Sequence, residues 1–227
     1  MKVLKNCFSQ QAIGRILQSG LLSFKPLENT QTNQKFFDDR FHLFYEEIYP
    51  VITGELPSDD FVIKGGFLNT TSTPYALHTD GARNPSEKIM CTVLLPLHIE
   101  PNCAGRIVAP TAGWLFVFEQ SAEFATFFRR GKDVSAFSYR AATTKELYDK
   151  WLIGNTKREF EDEEILRQCS HLDREEFYGM SLLAQTDWTI GDCIIFHPHQ
   201  VHASTNFLDL GIKSKTNLVY SLKYRTE

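Results

Sequence analysis

Three side chains that bind first-row transition metals stand out in the 227-residue sequence. His78 and Asp80 are two positions apart at the end of a predicted strand, and His202 lies much further along the chain. Residues two apart on a strand point to the same side, and one imidazole with one carboxylate suits a divalent metal. The pair supplies only two ligands, however, and taken alone it is better explained as a hydrogen-bonded surface pair.

The stretch around His202 changes that balance. A Gly-Asp turn at residues 191–192 precedes an apolar strand ending at Phe196, and a loop containing a proline leads to a short strand that ends at His202. In a jelly roll, segments this far apart in sequence can occupy adjacent strands at one barrel mouth. Two histidines and one carboxylate on one face leave the opposite metal positions open, as non-haem Fe(II) oxygenases require for a co-substrate and O2.

In this combination the chain resembles the Fe(II)/2-oxoglutarate-dependent dioxygenase superfamily, particularly its small bacterial and phage-type members. That family carries His-x-Asp and then, after a variable insertion, a Gly-Asp-x-x-x-Phe strand and a distal His, often in His-x-Ser. The matching residues are His78, Asp80, Gly191, Asp192, Phe196, His202 and Ser204. The resemblance covers residues 61–225 apart from the insertion. It implies a mainly β double-stranded β-helix (a cupin-like jelly roll) with flanking helices, Fe(II) as cofactor and 2-oxoglutarate as co-substrate.

Three histidines compete for the distal ligand position. His197 directly follows Phe196, and His199 follows the next proline. The family spacing places the ligand six positions beyond the Phe, which favours His202, with His199 as the alternative. For the others we expect a loop position in solvent or facing substrate.

The family also implies a basic residue on the last strand that pairs with the distal carboxylate of 2-oxoglutarate. This residue is usually Arg, whose fork matches a carboxylate, although some members use Lys. No Arg occurs in the expected window, but Lys213 and Lys215 do, and their spacing predicts that they share a strand face. Lys215 opens an apolar run and is preferred over Lys213. The alternative is that both are edge-strand lysines in solvent.

Asn69 precedes His78 on the preceding predicted strand, where some relatives place a polar side chain that binds 2-oxoglutarate. Turn chemistry in Asn69-Thr-Thr explains it equally well. Tyr75 is predicted either to line the pocket or to pack in the barrel.

The resemblance implies an enzyme that oxidises, by hydroxylation above all, a C–H bond of a small molecule with O2, releasing succinate and CO2. Family halogenases lack the carboxylate at the position of Asp80, so its presence argues against halogenation. Two alternatives stay open: a cupin-like metal enzyme without 2-oxoglutarate chemistry, and a non-catalytic binding domain with a degenerate site. The substrate, free or attached to a carrier or a protein, is not identified.

The pattern along the chain predicts one domain in four parts. Residues 1–60 are expected to form a helical cover, with one helix from a Ser9 cap to Gly20 and a second beginning near Thr32. Residues 61–119 and 185–227 form the two halves of the barrel, and residues 120–184 form a helical insertion that could act as a lid. The predicted strands span residues 61–70, 88–98, 106–108, 113–118, 187–196 and 215–224.

Composition limits the partners and the compartment. The net charge is −4 and no long run of Lys and Arg occurs, which disfavours a nucleic-acid partner. Five widely spaced cysteines without a CxxC pair indicate neither a disulfide framework nor a zinc knuckle. No apolar run reaches membrane-spanning length, and the first residues lack the apolar region of a signal peptide. We therefore expect a cytoplasmic protein that does not associate with membranes.

Overall fold

The structure is a computed structural model. It describes residues 1–21, 32–37, 44–56, 60–75, 77–80, 89–103, 111–121, 126–128, 160–177 and 179–225.

Within the described ranges, helices flank a β-structure at two places. Helix α1 spans Gln10–Leu21, and a π-helical turn at Phe44–Ile48 continues into α2 at Tyr49–Ile52. Helix α3 spans Glu163–Gln168, and a 3₁₀ turn follows at Arg174–Phe177. The Ser9 hydroxyl accepts a hydrogen bond from the Ala12 N–H at 3.1 Å, so the predicted cap of α1 is confirmed.

The larger sheet has six antiparallel strands in the order β1-β9-β5-β11-β3-β2. Strand β11 lies near its centre and pairs with β5 and β3 over most of its length. The bounds are β1 Lys2–Leu4, β2 Thr32–Phe37, β3 Phe61–Thr71, β5 Ile89–Pro101, β9 Cys193–Phe196 and β11 Ile212–Tyr224.

The smaller sheet has five antiparallel strands in the order β7-β4-β10-β6-β8. Its central strand β10 pairs with β4 on one side and β6 on the other. The bounds are β4 Leu77–Thr79, β6 Thr111–Ser121, β7 Thr126–Phe128, β8 Leu182–Thr189 and β10 Gln200–Ser204. Two antiparallel sheets whose neighbouring strands come from distant parts of the chain form a double-stranded β-helix, which confirms the predicted fold class.

Each sheet has one face covered by helices. On the larger sheet, Leu218, Tyr220 and Leu222 of β11 pack with Ile13 of α1 and Ile52 of α2 in one buried cluster. On the smaller sheet, the buried cluster joins β4 and β10 to α3 and the 3₁₀ turn; its members include Leu77, Val201, Ala203, Ile165 and Phe177. Because side chains alternate along a strand, the intervening residues face the space between the sheets.

That inner space is apolar at one end. Leu115 and Val117 of β6 pack against Ile194 and Phe196 of β9, with Leu94 beside them. Contact between these side chains joins the two sheets. Burial of the aliphatic and aromatic groups stabilises the sandwich at roughly 25 cal/mol per Å² of apolar surface.

The structure confirms most predicted strands and corrects others. Strands β3, β5, β6 and β11 cover predicted stretches, whereas the stretch predicted at 187–196 is two strands, β8 and β9, because the Gly191-Asp192 turn interrupts it. The predicted strand at 106–108 lies outside the described residues.

The predicted helix beginning near Thr32 is wrong for residues 32–37. These residues form β2, which pairs with β3 in a regular register from Thr32↔Thr71 to Phe37↔Gly66. Pairing with the open edge of β3 outweighs the local helical pattern, which is a weak preference. The later part of that pattern is helical from Phe44 to Ile52.

The helical insertion predicted for 120–184 contains both kinds of structure in its described parts. Strand β7 lies near its start, α3 and the 3₁₀ turn lie near its end, and β8 begins at Leu182. Residues 129–159, which include the capping-box stretch beginning at Thr143, lie outside the described residues, so the lid stays a prediction. No helix in the described part of the chain is long and apolar enough to cross a membrane.

Gly66 marks a close approach between β3 and β11. A Cβ at this position would overlap the ring of Tyr220, which is fully buried in the cluster beneath the N-terminal helices. We therefore expect Gly66→Ala to lower the free energy of unfolding by about 1–3 kcal/mol, because the ring has no room to move in a packed core.

Gly14→Ala is the matched control, since its added Cβ meets no atom within 4 Å in the middle of α1. This change should raise the free energy of unfolding by about 0.5–1 kcal/mol through the better helix propensity of Ala. Urea unfolding of both variants measures the difference. Equal effects of the two substitutions would contradict the packing described for Gly66.

Candidate functional site

The predicted ligand residues come together where β4 and β10 pair. His78 lies on β4 and His202 on β10, and they are direct partners in the antiparallel register. Their ring centroids are 4.2 Å apart. Asp80 follows the end of β4 and lies beside both rings. The predicted placement of these segments on adjacent strands is confirmed.

The three side chains converge on one point, and the Asp80 carboxylate is close to both imidazoles without a hydrogen bond to either. The Asp80 carboxylate oxygens lie 3.8 Å from His78 Nε2 and 3.7 Å from His202 Nε2, beyond hydrogen-bond distance. One ligand atom from each residue falls within 4.8 Å of the other two. Among the described residues, this is the one such group of three or more His, Cys, Asp or Glu side chains.

The orientation of His202 is set by a hydrogen bond on the far side of its ring. Its Nδ1 lies 3.0 Å from the carbonyl oxygen of Gln200. A carbonyl accepts only, so Nδ1 donates, and in the neutral ring Nε2 keeps its lone pair towards Asp80 and His78. A hydrogen bond of this kind is the usual support for a metal-binding histidine.

Both histidines face the inside of the barrel. Their strand neighbours Leu77, Val201 and Ala203 pack outward against α3 and the 3₁₀ turn. The ring of His202, 4% exposed, lies 4.8 Å from the ring of Phe196 on the opposite sheet. The His202 ring is therefore shielded from bulk water, whereas the side chains of His78 and Asp80 remain 15% and 23% exposed.

Lys215 faces the same interior from the larger sheet. It is 4% exposed, and its ammonium lies over the rings of Trp188 and Phe207, at 5.1 and 5.2 Å from their centroids. We call these two rings and the ammonium the lysine cage. No carboxylate in the described part of the chain pairs with Lys215. Burial lowers its pKa to about 7, because the charged form loses hydration that two aromatic faces only partly replace.

Lys213 has a different environment, so the prediction that both lysines share one face is wrong. Its ammonium bonds to the Glu100 carboxylate at 2.7 Å, and the side chain is largely exposed. The pairing of β11 with β5 shifts register between Ile212 and Ser214, which breaks the simple alternation there. Of the two candidates, Lys215 alone reaches the interior.

A polar group connects the larger sheet to the histidines. Asn69 on β3 is 3% exposed, and its amide exchanges hydrogen bonds with the Tyr75 hydroxyl at 3.1 and 3.2 Å. The Tyr75 ring lies 5.5 Å from the His78 ring. Asn69 is therefore part of the interior, and Tyr75 lines the space next to His78.

Sequence reasoning missed Asn217. It is 5% exposed, lies directly opposite Asn69 in the β3–β11 register and has the same strand parity as Lys215. That parity was the available signal. Trp188 and Phe207 were also missed, because they come from β8 and from the turn after β10, and no local pattern links those segments to Lys215.

The other loop histidines lie outside the ligand group. His197 is exposed, and its Nδ1 accepts a hydrogen bond from the His199 N–H at 3.3 Å. Their rings lie 5.1 Å apart and contact each other. Of the three candidates for the distal position, His202 is the one that joins His78 and Asp80.

The described end of the insertion holds both ligand-bearing segments from outside. His171 Nε2 lies 2.9 Å from the carbonyl oxygen of Tyr75, shortly before β4. The Asn206 N–H, just after β10, donates to the carbonyl oxygen of Gln168 at 2.7 Å. The last residue of α3 and the turn that follows it thus brace the ends of the two strands that carry the histidines.

The donor set fits a divalent iron. Two imidazole nitrogens and one carboxylate on one side match the arrangement used by non-haem Fe(II) sites that leave other positions open. The positively charged or protonatable cage at Lys215 and the amide of Asn217 offer partners for an anion in the same interior. The arrangement can therefore hold a metal and an acidic small molecule together.

No protein-family model matches the sequence, and neither does any curated protein sequence. A prolyl-4-hydroxylase from Pseudomonas putida is 10% identical, with a TM-score of 0.47, over 99% of this chain and 92% of that chain.

Two further solved structures are similar in the same way. HygX from Streptomyces hygroscopicus, with nickel and 2-oxoglutarate bound, is 11% identical with a TM-score of 0.48, over 98% of this chain and 82% of that chain. A 2OG-Fe(II) oxygenase family oxidoreductase from Burkholderia pseudomallei is 12% identical with a TM-score of 0.47, over 97% of this chain and 82% of that chain.

The lysine cage should cost stability in the free protein. We expect Lys215→Met to raise the free energy of unfolding by about 1–4 kcal/mol near neutral pH, because a side chain of similar length fills the cage without a charge to desolvate. Between pH about 7 and 10.5, Lys215 is deprotonated in the folded protein but protonated in the unfolded chain. The free energy of unfolding of the wild type therefore rises with pH across that window. The advantage of the variant should therefore shrink as pH rises through that window.

Lys213→Met serves as the control, since Lys213 is exposed and a surface ion pair contributes about 0–1 kcal/mol. Urea unfolding of the metal-free proteins at several pH values measures both effects. A Lys215→Met variant less stable than wild type at pH 6 would contradict a costly buried cation.

Proposed function

We propose that this protein is an Fe(II)- and 2-oxoglutarate-dependent oxygenase that hydroxylates a C–H bond of a small molecule. One observation carries the proposal: a two-histidine, one-carboxylate group and a buried lysine without a carboxylate partner among the described residues face the same barrel interior from opposite sheets. A structural metal site would need no such cation, and a purely apolar ligand would leave its charge without a partner.

His78, Asp80 and His202 would hold the iron through His78 and His202 imidazole nitrogens and an Asp80 oxygen. Bound iron would supply the activation of O2 and the oxidation of the C–H bond, coupled to conversion of 2-oxoglutarate to succinate and CO2. The protein's contribution is to keep these donors in place. The Gln200 carbonyl fixes the His202 ring, and the paired strands fix the separation of the two imidazoles.

Lys215 would bind the distal carboxylate of 2-oxoglutarate. A carboxylate entering the cage favours the protonated lysine, so binding should restore the charge that burial opposes. A charge-assisted hydrogen bond in a water-poor interior is stronger than one in solvent. Asn69 and Asn217 would position the same molecule through their amides, with Tyr75 holding the Asn69 amide in orientation.

The proposal extends to reaction type, substrate and compartment. With a carboxylate at position 80, we propose hydroxylation, or a related desaturation or cyclisation, rather than halogenation. We propose a small-molecule substrate, since a chain of net charge −4 without a long basic run offers no evident nucleic-acid surface. Five unpaired cysteines support a cytoplasmic location.

Anaerobic addition of Fe(II) and then 2-oxoglutarate tests the proposal. We expect a metal-to-ligand charge-transfer absorption band that needs both components, because the band arises when the keto acid chelates iron. Asp80→Ala should lose Fe(II) affinity and the band. Asp60→Ala, an exposed carboxylate near the C-terminal strand, should keep both.

The same titration distinguishes the residues that bind 2-oxoglutarate from those that bind the metal. Lys215→Met should still bind Fe(II), but should bind 2-oxoglutarate about 10–100-fold more weakly, the range expected for loss of a charged hydrogen-bond partner. Lys213→Met should titrate as wild type. Fe(II) binding without any band in wild type would favour a cupin-like metal enzyme, and absence of Fe(II) binding would favour a non-catalytic domain.

A further inference from the structure

The N-terminal segment is fastened to the turn that precedes β9. The chain bends at Asn6, whose φ is 50°, and the Asn6 N–H donates to the buried carboxylate of Asp192 at 2.9 Å. Lys5 Nζ reaches the same carboxylate at 2.9 Å. The Phe8 N–H donates to the carbonyl oxygen of Gly191 at 3.1 Å. Residue 7 is thus held on both sides against residues 191 and 192.

This arrangement brings two cysteines together. Cys193 opens β9 and lies directly opposite Leu4 in the β1–β9 register. Cys7 lies just past the bend, and its thiol is 3.5 Å from the Gly191 carbonyl oxygen, two residues before Cys193. Cys193 is fully buried in the cluster under the N-terminal helices, and Cys7 packs against that cluster while remaining half-buried. Of these two cysteines, Cys7 is the one that a solvent-borne reagent can reach.

The electrostatics favour Cys7 as the reactive partner. A hydrogen bond from the Cys193 thiol lowers the pKa of Cys7, and the same hydrogen bond raises the pKa of Cys193. By contrast, burial raises the pKa of Cys91 and of Cys169 to about 12. The fifth cysteine, Cys103, is exposed. Burial and the nearby Asp192 carboxylate oppose this lowering of the Cys7 pKa without reversing it. A thiolate is the nucleophile in disulfide exchange, and of the two thiols the half-buried Cys7 has the lowered pKa and the access to solvent.

We propose that Cys7 and Cys193 form a redox-active dithiol site, which a low-molecular-weight disulfide such as glutathione disulfide converts to an internal disulfide. The site lies on the larger sheet and uses none of the residues assigned to the metal or to 2-oxoglutarate. It is therefore independent of the proposed function.

The reaction balances in two exchanges. The Cys7 thiolate attacks one sulfur of glutathione disulfide, which forms a mixed disulfide at Cys7 and releases one glutathione thiolate. Capping Cys7 removes the thiolate that held the Cys193 proton. Cys193 then loses that proton to water and attacks the Cys7 sulfur, which releases the second glutathione. Two electrons pass from the protein thiols to glutathione disulfide.

The disulfide would link the segment after the short edge strand β1 covalently to β9. Strand β1 has three residues and pairs with β9 at the end of the sheet order. Short edge strands open readily and exchange their amide hydrogens. A covalent link from Cys7 to β9 would hold β1 in its register, so exchange at Lys2–Leu4 should slow in the oxidised protein and recover after reduction.

Peptide mapping of the full-length protein tests the proposal. The reduced protein is incubated with glutathione disulfide, free thiols are alkylated, and the digest is analysed by mass spectrometry without reduction. We expect a linked Cys7–Cys193 peptide pair, a whole-protein mass lower by two hydrogens before alkylation, and no glutathione retained on Cys7. Hydrogen exchange at Lys2–Leu4 should slow several-fold in the same sample.

Variants distinguish the pair from single reactive cysteines. Cys193→Ser should retain glutathione on Cys7, because the resolving thiol is absent, whereas Cys103→Ser should form the internal disulfide as wild type does. Cys7→Ser, at a half-buried position, should leave Cys193 unmodified. The proposal is overturned if wild type keeps glutathione on Cys7, links Cys7 to another cysteine, or leaves both thiols free for alkylation.

Discussion

The candidate site depends on one strand register, in which His202 on β10 lies opposite His78 on β4. A slip of one residue would turn the histidines outward and bring Val201 or Ala203 into the interior. The register is held on the outer face, where Leu77, Val201 and Ala203 are buried against α3 and the 3₁₀ turn. Packing on the apolar outer face of the smaller sheet thus fixes which residues point inward. The described end of the insertion takes part because it supplies α3 and the 3₁₀ turn.

The barrel interior also contains a group that lowers the stability of the free protein. A lysine enclosed by Trp188 and Phe207 is destabilising in the free protein, because aromatic faces replace only part of the hydration of an ammonium. Such a group is retained when its charge has a use. In the proposed oxygenase, that use is binding of the 2-oxoglutarate carboxylate. On that proposal, the stability lost in the free protein would be regained in the complex, which is the usual balance at a functional site.

Much of the site could be predicted from the sequence because its signals are local. His-x-Asp at a strand end is a local pattern, and the family spacing after the Gly-Asp turn and the apolar strand singled out His202 as the distal ligand. The apolar run after Lys215 likewise indicated the buried lysine. The cage around it could not be predicted, since Trp188 and Phe207 meet Lys215 through tertiary packing. The exposure of Lys213 depends on a register shift that leaves no pattern in the sequence.

The errors in the fold have the same origin. Residues 32–37 form an edge strand because β3 offers them a pairing edge, and no local preference of those residues indicates it. Ser9 and Gly191, whose effects are local, were read correctly as a helix cap and a turn. Local chemistry was therefore predictable, and contacts between distant segments were not.

We propose one barrel interior that holds both a divalent iron and 2-oxoglutarate. An anaerobic crystal structure of the protein with Fe(II) and 2-oxoglutarate measures this most directly. We expect metal density bonded to His78, Asp80 and His202, with the co-substrate chelating the metal and its distal carboxylate at the Lys215 ammonium. Metal bound elsewhere, or 2-oxoglutarate bound away from Lys215, would contradict it.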